Sequence, residues 1–184
     1  MFIWEYLKSP AYVGAIAPSS QRLAAKMMEP IDFSSAKTIV EYGPGTGVFT
    51  RHILNLRNPE TDVVLIEQNR KFYADLKNRY QGVKNLYIIN SSAEYADEIV
   101  LKQLNILNSD AVVSGLPFTS LPKDVSLRIL DSTKKLIGQD GCFITFQYTR
   151  VKENLFRQHF HIADLLFEAK NLPPAFVYVL KNYS

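Results

Sequence analysis

The chain has 184 residues, 47% hydrophobic and 21% charged, which suits one domain with a substantial buried core and excludes a disordered polymer. Its net charge of +3 falls well short of the density expected of a dedicated nucleic-acid binder. The single cysteine, Cys142, excludes an internal disulfide and a cysteine-rich metal site, and its apolar surroundings read as core.

Residues 2–8 (Phe-Ile-Trp-Glu-Tyr-Leu-Lys) concentrate aromatic and aliphatic side chains, and Pro10 limits any helix here to about two turns. Such a segment either inserts at a bilayer interface, peripherally and on an anionic surface, or closes as a lid on the protein's own core. No apolar run reaches the roughly 18 residues of a membrane span, and the N-terminus lacks a signal-peptide pattern. A cytoplasmic protein, soluble or peripheral at the inner membrane face, is expected.

Ser19 or Ser20 is a good N-cap for a helix over 21–29. Strands are predicted over 38–41, 62–67, 86–90, 110–114, 142–148 and 176–180. Most are Val- and Ile-rich and apolar nearly throughout, as in strands buried on both faces of a parallel sheet. Helix-compatible stretches over 48–56, 70–80, 93–104 and 123–137 alternate with them, which argues for a doubly wound α/β fold. Gly138-Gln139-Asp140-Gly141 reads as the turn between the last of these helices and its strand. Residues 162–169, ahead of Asn171-Leu172-Pro173-Pro174, offer a partner for the final strand. His159 and His161, near Arg150 and Arg157, read as a solvated face with phosphate contact as the sharper alternative. No metal-ligand pattern is visible, and His52 stands alone on its helix.

The most informative run is Ile39-Val40-Glu41-Tyr42-Gly43-Pro44-Gly45-Thr46-Gly47-Val48-Phe49. A strand ends at an acidic residue, and glycines at alternating positions let the backbone turn and approach a ligand. The spacing G-x-G-x-G departs from the G-x-G-x-x-G of dinucleotide binders, with Val48 where that fingerprint needs close packing. Glu67 follows Glu41 by 26 positions, about one strand–helix–strand unit, so both acids fall on one sheet edge. This run with Glu67 resembles the cofactor site of class I S-adenosylmethionine-dependent methyltransferases. The resemblance implies a Rossmann-like, mostly parallel seven-stranded sheet with an antiparallel last strand and helices on both faces.

It also implies roles for individual residues. Backbone N–H groups around Gly43, Pro44, Gly45 and Gly47 would hold the methionine carboxylate, and Glu41 would offset the ligand's positive charge. Glu67, with Gln68 beside it, would accept from the ribose hydroxyls. Ser91, Ser92 and Ala93 would flank the adenine, although many relatives have Asp where Ser92 stands. Ser114-Gly115-Leu116-Pro117-Phe118 sits where amine methyltransferases meet the acceptor, with Ser in place of Asn or Asp. Ser114 Oγ and the carbonyls of Ser114 and Leu116 would orient the amine. Phe118 and Tyr148 would stabilise the methylammonium by cation–π contact, and Tyr12 would bind phosphate or amine. For Phe118, Tyr148 and Tyr12 the competing reading is ordinary packing.

More narrowly, Val13-Gly14-Ala15-Ile16-Ala17-Pro18-Ser19-Ser20, Ser114–Pro117 with Leu121-Pro122, and Asn171–Ala175 with Val177-Tyr178 resemble bacterial phosphatidylethanolamine-type phospholipid N-methyltransferases. Proteins similar to ribosomal RNA adenine dimethylases share several of these segments. The resemblance implies methyl transfer to a lipid head-group amine, with Ser19 helping to enclose the cofactor. Residues 1–184 would form one domain, 1–30 being a helical lid or membrane-contacting segment. An RNA adenine dimethylase, a small-molecule amine methyltransferase and a non-catalytic cofactor-binding sensor stay open as alternatives.

Overall fold

The computed structural model describes residues 18–183. Tyr12, residues 2–8 and the 13–17 part of the early segment lie outside the described residues. Helix α1 (Pro18–Met28) leads into β1 (Thr38–Tyr42), α2 (Val48–Leu56), β2 (Asp62–Ile66), α3 (Arg70–Arg79) and β3 (Leu86–Ile89). There follow β4 (Ser109–Ser114), α4 (Lys123–Leu136), β5 (Ile137–Gln147), α5 (Glu153–His159), β6 (His161–Glu168) and β7 (Ala175–Lys181). The seven strands form one sheet in the order β3-β2-β1-β4-β5-β7-β6. Strands β1 to β5 pair in parallel, and β7 lies antiparallel between β5 and β6.

Alternate residues of each central strand feed opposite faces, and both faces are buried. Val40, Tyr42, Val64, Ile66, Val112 and Phe143 pack with Leu130 and Leu136 of α4. Ile39, Val63, Leu65, Val113 and Ile144 face the other way, toward Leu23 and Met27 of α1 and Ile53 of α2. Apolarity on both faces is why these strands read as continuous runs and not as alternating patterns.

Four local features depart from the sequence expectation. The first helix starts at Pro18, whose fixed φ suits a first turn, so Ser19 and Ser20 fall within the helix and not at the position before it. The helix expected over 93–104 is split into a 3-10 turn (Ala93–Tyr95) and a π-helix (Glu98–Gln103). The Asp97 N–H goes to Ser132 Oγ at 2.9 Å, which breaks the local ladder between the two pieces. Gly138–Gly141 is part of β5 and not a turn ahead of it. Pairing starts at Ser109↔Ile137 and resumes at Ala111↔Cys142, so β5 bulges to absorb the surplus residues. Helix α5 had no counterpart in the expected elements, although Phe156 and Phe160, one helical turn apart, are both fully buried.

Candidate active site

The chain runs outward from β1 through β2 to β3, then returns to place β4 on the other side of β1. The carboxyl ends of β1 and β4 therefore flank a topological switch point, where an open α/β sheet forms its ligand crevice. The Gly43 N–H donates to Ile66 O and the Gly115 N–H donates to Tyr42 O, each at 3.0 Å. These bonds lay the two loops side by side. A Cβ added at Gly115 would sit 3.2 Å from Gly43 O, and one at Gly43, where φ is +62°, would sit 2.8 Å from Leu116 Cδ2. The positive φ at Gly43 and the close backbone approach at Gly115 both favour glycine.

Glu67 ties the loops after β1 and β2 together. Its Oε2 accepts from the Gly45 N–H at 3.0 Å and its Oε1 from the Asn69 N–H at 2.7 Å. A carboxylate offers about four lone-pair sites, so roughly half its acceptor capacity is left for a ligand diol. Asn69 also caps α3 through its side chain, and Asn90 Nδ2 donates to the carbonyls of Glu67 and Gln68 at 2.7 and 3.2 Å. Gln68 is exposed beside this bridge. Ser92 Oγ caps the 93–95 turn and donates to Glu94 Oε1 at 2.9 Å, while Ala93 is buried and Ser91 half-buried. Glu94 is in turn paired with Arg128.

The glycine N–H groups differ from expectation. Those of Gly43, Gly45 and Gly47 donate to Ile66 O, Glu67 Oε2 and Pro44 O, so the loop consumes them internally and they do not form an open carboxylate nest. The glycines instead give the loop its shape: all three have positive φ.

Beneath the loop lies Glu41, fully buried. Its Oε2 accepts from Thr50 Oγ1 at 2.7 Å, while Oε1 has no partner among the described residues. Burial pushes its carboxyl up to about 8, against the opposing Thr50 hydrogen bonds and with a small addition from the Glu67 charge. An orphaned carboxyl oxygen beside a glycine turn fits a cationic ligand. Open space next to the loop also fits, since a Cβ on Gly45 would meet only Gly43 O at 3.9 Å. The residues present thus suit S-adenosylmethionine.

On the acceptor side, Ser114 is buried and its Oγ accepts from the Leu116 N–H at 3.2 Å. The Leu116 carbonyl, expected to face the acceptor, already takes the Phe118 N–H at 3.1 Å and Gln147 Nε2 at 3.4 Å, which fills its two lone pairs. Phe118 is not at an open site. Its ring is fully buried, edge-to-face with Phe156 at 5.4 Å and Phe143 at 6.2 Å, because the turn after Leu116-Pro117 folds it into the core. Tyr148 follows the end of β5, half-buried and edge-to-face with Phe146 at 5.5 Å. The basic cluster resolves into internal pairs: Arg150 and Arg157 both bind Glu153, and His159 Nδ1 lies 3.4 Å from Asp131.

Sequence reasoning missed Thr50, Asn69 and Gln147, which hold the site from behind, and placed Asn90 beside the adenine without its bonds to the Glu67 and Gln68 carbonyls. Asn69 carried a signal, being an N-cap residue immediately before a helical stretch. Thr50 and Gln147 become visible only when strand ends are set side by side.

Residues 18–153 match the family described as ribosomal RNA adenine dimethylase. The chain is 30% identical to the ornithine lipid N-methyltransferase of Singulisphaera acidiphila over 99% of its own length and 95% of that protein's. It is 24% identical to ribosomal RNA small subunit methyltransferase A of a Hydrogenobaculum species, over 62% of this chain but only 50% of that one. The N-methyltransferase NodS from Bradyrhizobium japonicum, solved with S-adenosyl-L-homocysteine, superposes with a TM-score of 0.74 over 98% of each chain at 9% identity. The glycine loop at the switch point and these matches agree: the chain belongs to the ribosomal RNA adenine dimethylase family and is a class I S-adenosylmethionine-dependent methyltransferase.

Proposed function

We propose that this methyltransferase acts on the amine of a membrane lipid head group, of the phosphatidylethanolamine or ornithine-lipid kind, at the inner face of a membrane. The observation that carries the reading is the end-to-end match to a relative named for ornithine lipid N-methylation, against a match to only half of a ribosomal RNA relative. The net charge of only +3 and the serine at position 114 in place of Asn or Asp also weigh against RNA.

When bound, S-adenosylmethionine supplies a sulfonium-activated methyl group to a neutral amine. In this reading Glu67 and Gln68 hold the ribose, Ser91 to Ala93 border the adenine, and Glu41, giving up its proton as the cation arrives, offsets the cationic end. Ser19, at the start of α1, helps to enclose the cofactor. Ser114 Oγ, with one lone pair given to the Leu116 N–H, keeps its proton and a second lone pair to orient the amine. Tyr148 faces the methylammonium through its ring, and Tyr12 meets the amine or phosphate from the lid side. The whole chain works as one domain, with residues 1–30 as lid or membrane contact.

The test is transfer of label from radiolabelled S-adenosylmethionine. Vesicles containing phosphatidylethanolamine or ornithine lipid are offered beside ribosomal RNA. Label in the lipid extract is expected, and label only in RNA overturns the reading.

A further inference from the structure

We propose that the loops over 148–152 and 169–174 form a membrane-docking rim that seats on an anionic bilayer and holds the acceptor loop after β4 over the head groups. The proposal rests on the lipid reading above and is separate from any contact made by residues 2–8. Gln147, the end of β5, pairs with Phe176 of β7, and Glu168, the end of β6, pairs with Ala175. Both loops therefore leave the same sheet edge as the glycine loop and Ser114. With strands roughly 5 Å apart, they stand roughly 5 to 15 Å from the end of β4.

The side chains at this rim are apolar and exposed: Val151 at 78%, Leu172 at 81% and Phe167 at 53%. Single exposed apolar residues need no explanation, but two at the tips of adjoining loops do, with Phe167 near the end of β6 beside them. Nor is Leu172 on a slack segment. Asn171 is buried and its Nδ2 donates to Pro173 O at 2.6 Å, which anchors the loop while Leu172, Pro173 and Pro174 project.

The flanking charge selects the occupant. Arg150, Lys152 and Lys170 lie among these residues, and among the described residues Lys152 and Lys170 enter no ion pair. The nearby acids are already engaged: Glu153 binds Arg150 and Arg157, and Glu168 accepts from the Lys170 N–H at 2.9 Å. Apolar tips inside a basic border match an anionic lipid surface, with the tips entering the acyl boundary and the cations facing phosphates.

The test is co-flotation of the full chain with phosphatidylcholine–phosphatidylglycerol vesicles. Wild type is expected to bind these and to bind pure phosphatidylcholine more weakly. The double variant Val151→Asp with Leu172→Asp is expected to bind at least about tenfold less. Its affinity for S-adenosylmethionine by calorimetry should stay within about twofold, which shows an intact fold. Leu107→Asp, a change at a 90% exposed leucine on the opposite sheet edge, should bind like wild type. The docking rim is overturned if wild type does not float, if the double variant floats as wild type does, or if Leu107→Asp loses as much. Those results leave the lipid reading standing wherever wild type still labels lipid. Label found only in RNA overturns both.

Discussion

The side of the crevice proposed for the cofactor and the side proposed for the acceptor are built on different terms. After β1 and β2, acids and glycines meet directly: Glu67 spans Gly45 and Asn69, and Glu41 lies beneath with an oxygen unspent. After β4, the loop turns its polar atoms on itself, with Ser114 bound to Leu116 and Leu116 to Phe118 and Gln147. The first region presents charge to a ligand whose features are fixed. The second presents shape, which loop substitutions can change without disturbing the sheet.

The largest separation of the two regions should come from Glu67→Ala. It removes an acceptor from two backbone N–H groups and from the ribose site together. Affinity for S-adenosylmethionine is expected to fall at least about tenfold and stability by roughly 1–3 kcal/mol, with the fold retained. Calorimetric titration and urea unfolding check it; unchanged affinity would remove Glu67 from the site.

A pH-dependent effect, confined to stability, isolates Glu41. Its carboxyl titrates at 4.5 as a free group and is pushed to about 8 by burial in the fold. Below 4.5 both states hold the proton. Between 4.5 and about 8 the unfolded chain releases it while the folded protein keeps it, so stability falls as pH rises, and the decline ends above about 8. Glu41→Gln cannot ionise and should flatten this slope. It should gain stability over wild type on the alkaline side by an amount on the order of 5 kcal/mol at most. Urea midpoints measured from pH 5 to pH 9 decide it, and parallel curves for the two proteins would show that Glu41 does not titrate in this window.

These two acids also mark how far the sequence was legible. The parallel strands declared themselves by unbroken Val and Ile runs, and Gly43–Gly47 with Glu67 placed the crevice, because backbone shape and charge at strand ends are local properties. Partnerships are not local. That Asp97 gives its N–H to Ser132 and so splits a helix depends on α4 packing 35 positions away. The aromatic at 118 looked like a substrate contact by its place after Leu-Pro, and the fold sends it inward to Phe156, on a helix the sequence reading did not contain. The three glycine N–H groups looked available for the same reason: their acceptors, on β2 and in the loop itself, appear only once the chain has turned.

The gentlest probe falls on the acceptor side, where Gln147 was silent in the sequence. Its side chain is buried at the end of β5 and reaches Leu116 O at 3.4 Å, a long bond whose net worth is at the low end of roughly 0.5–1.5 kcal/mol. Gln147→Leu keeps the volume near constant and frees one lone pair of the Leu116 carbonyl. Stability should therefore change by less than about 1 kcal/mol. Cofactor affinity should stay at the wild-type value, since among the described residues the Gln147 side chain bonds to the loop after β4 and not to the β1–β2 side. The loop proposed to meet the acceptor loses its tie to β5, so KM for the proposed lipid amine should rise a few-fold with kcat lowered less. If calorimetry instead showed weaker binding of S-adenosylmethionine, the two sides of the crevice would be coupled through the Gly43–Gly115 contact, and their separation would describe the resting sheet and not the working enzyme.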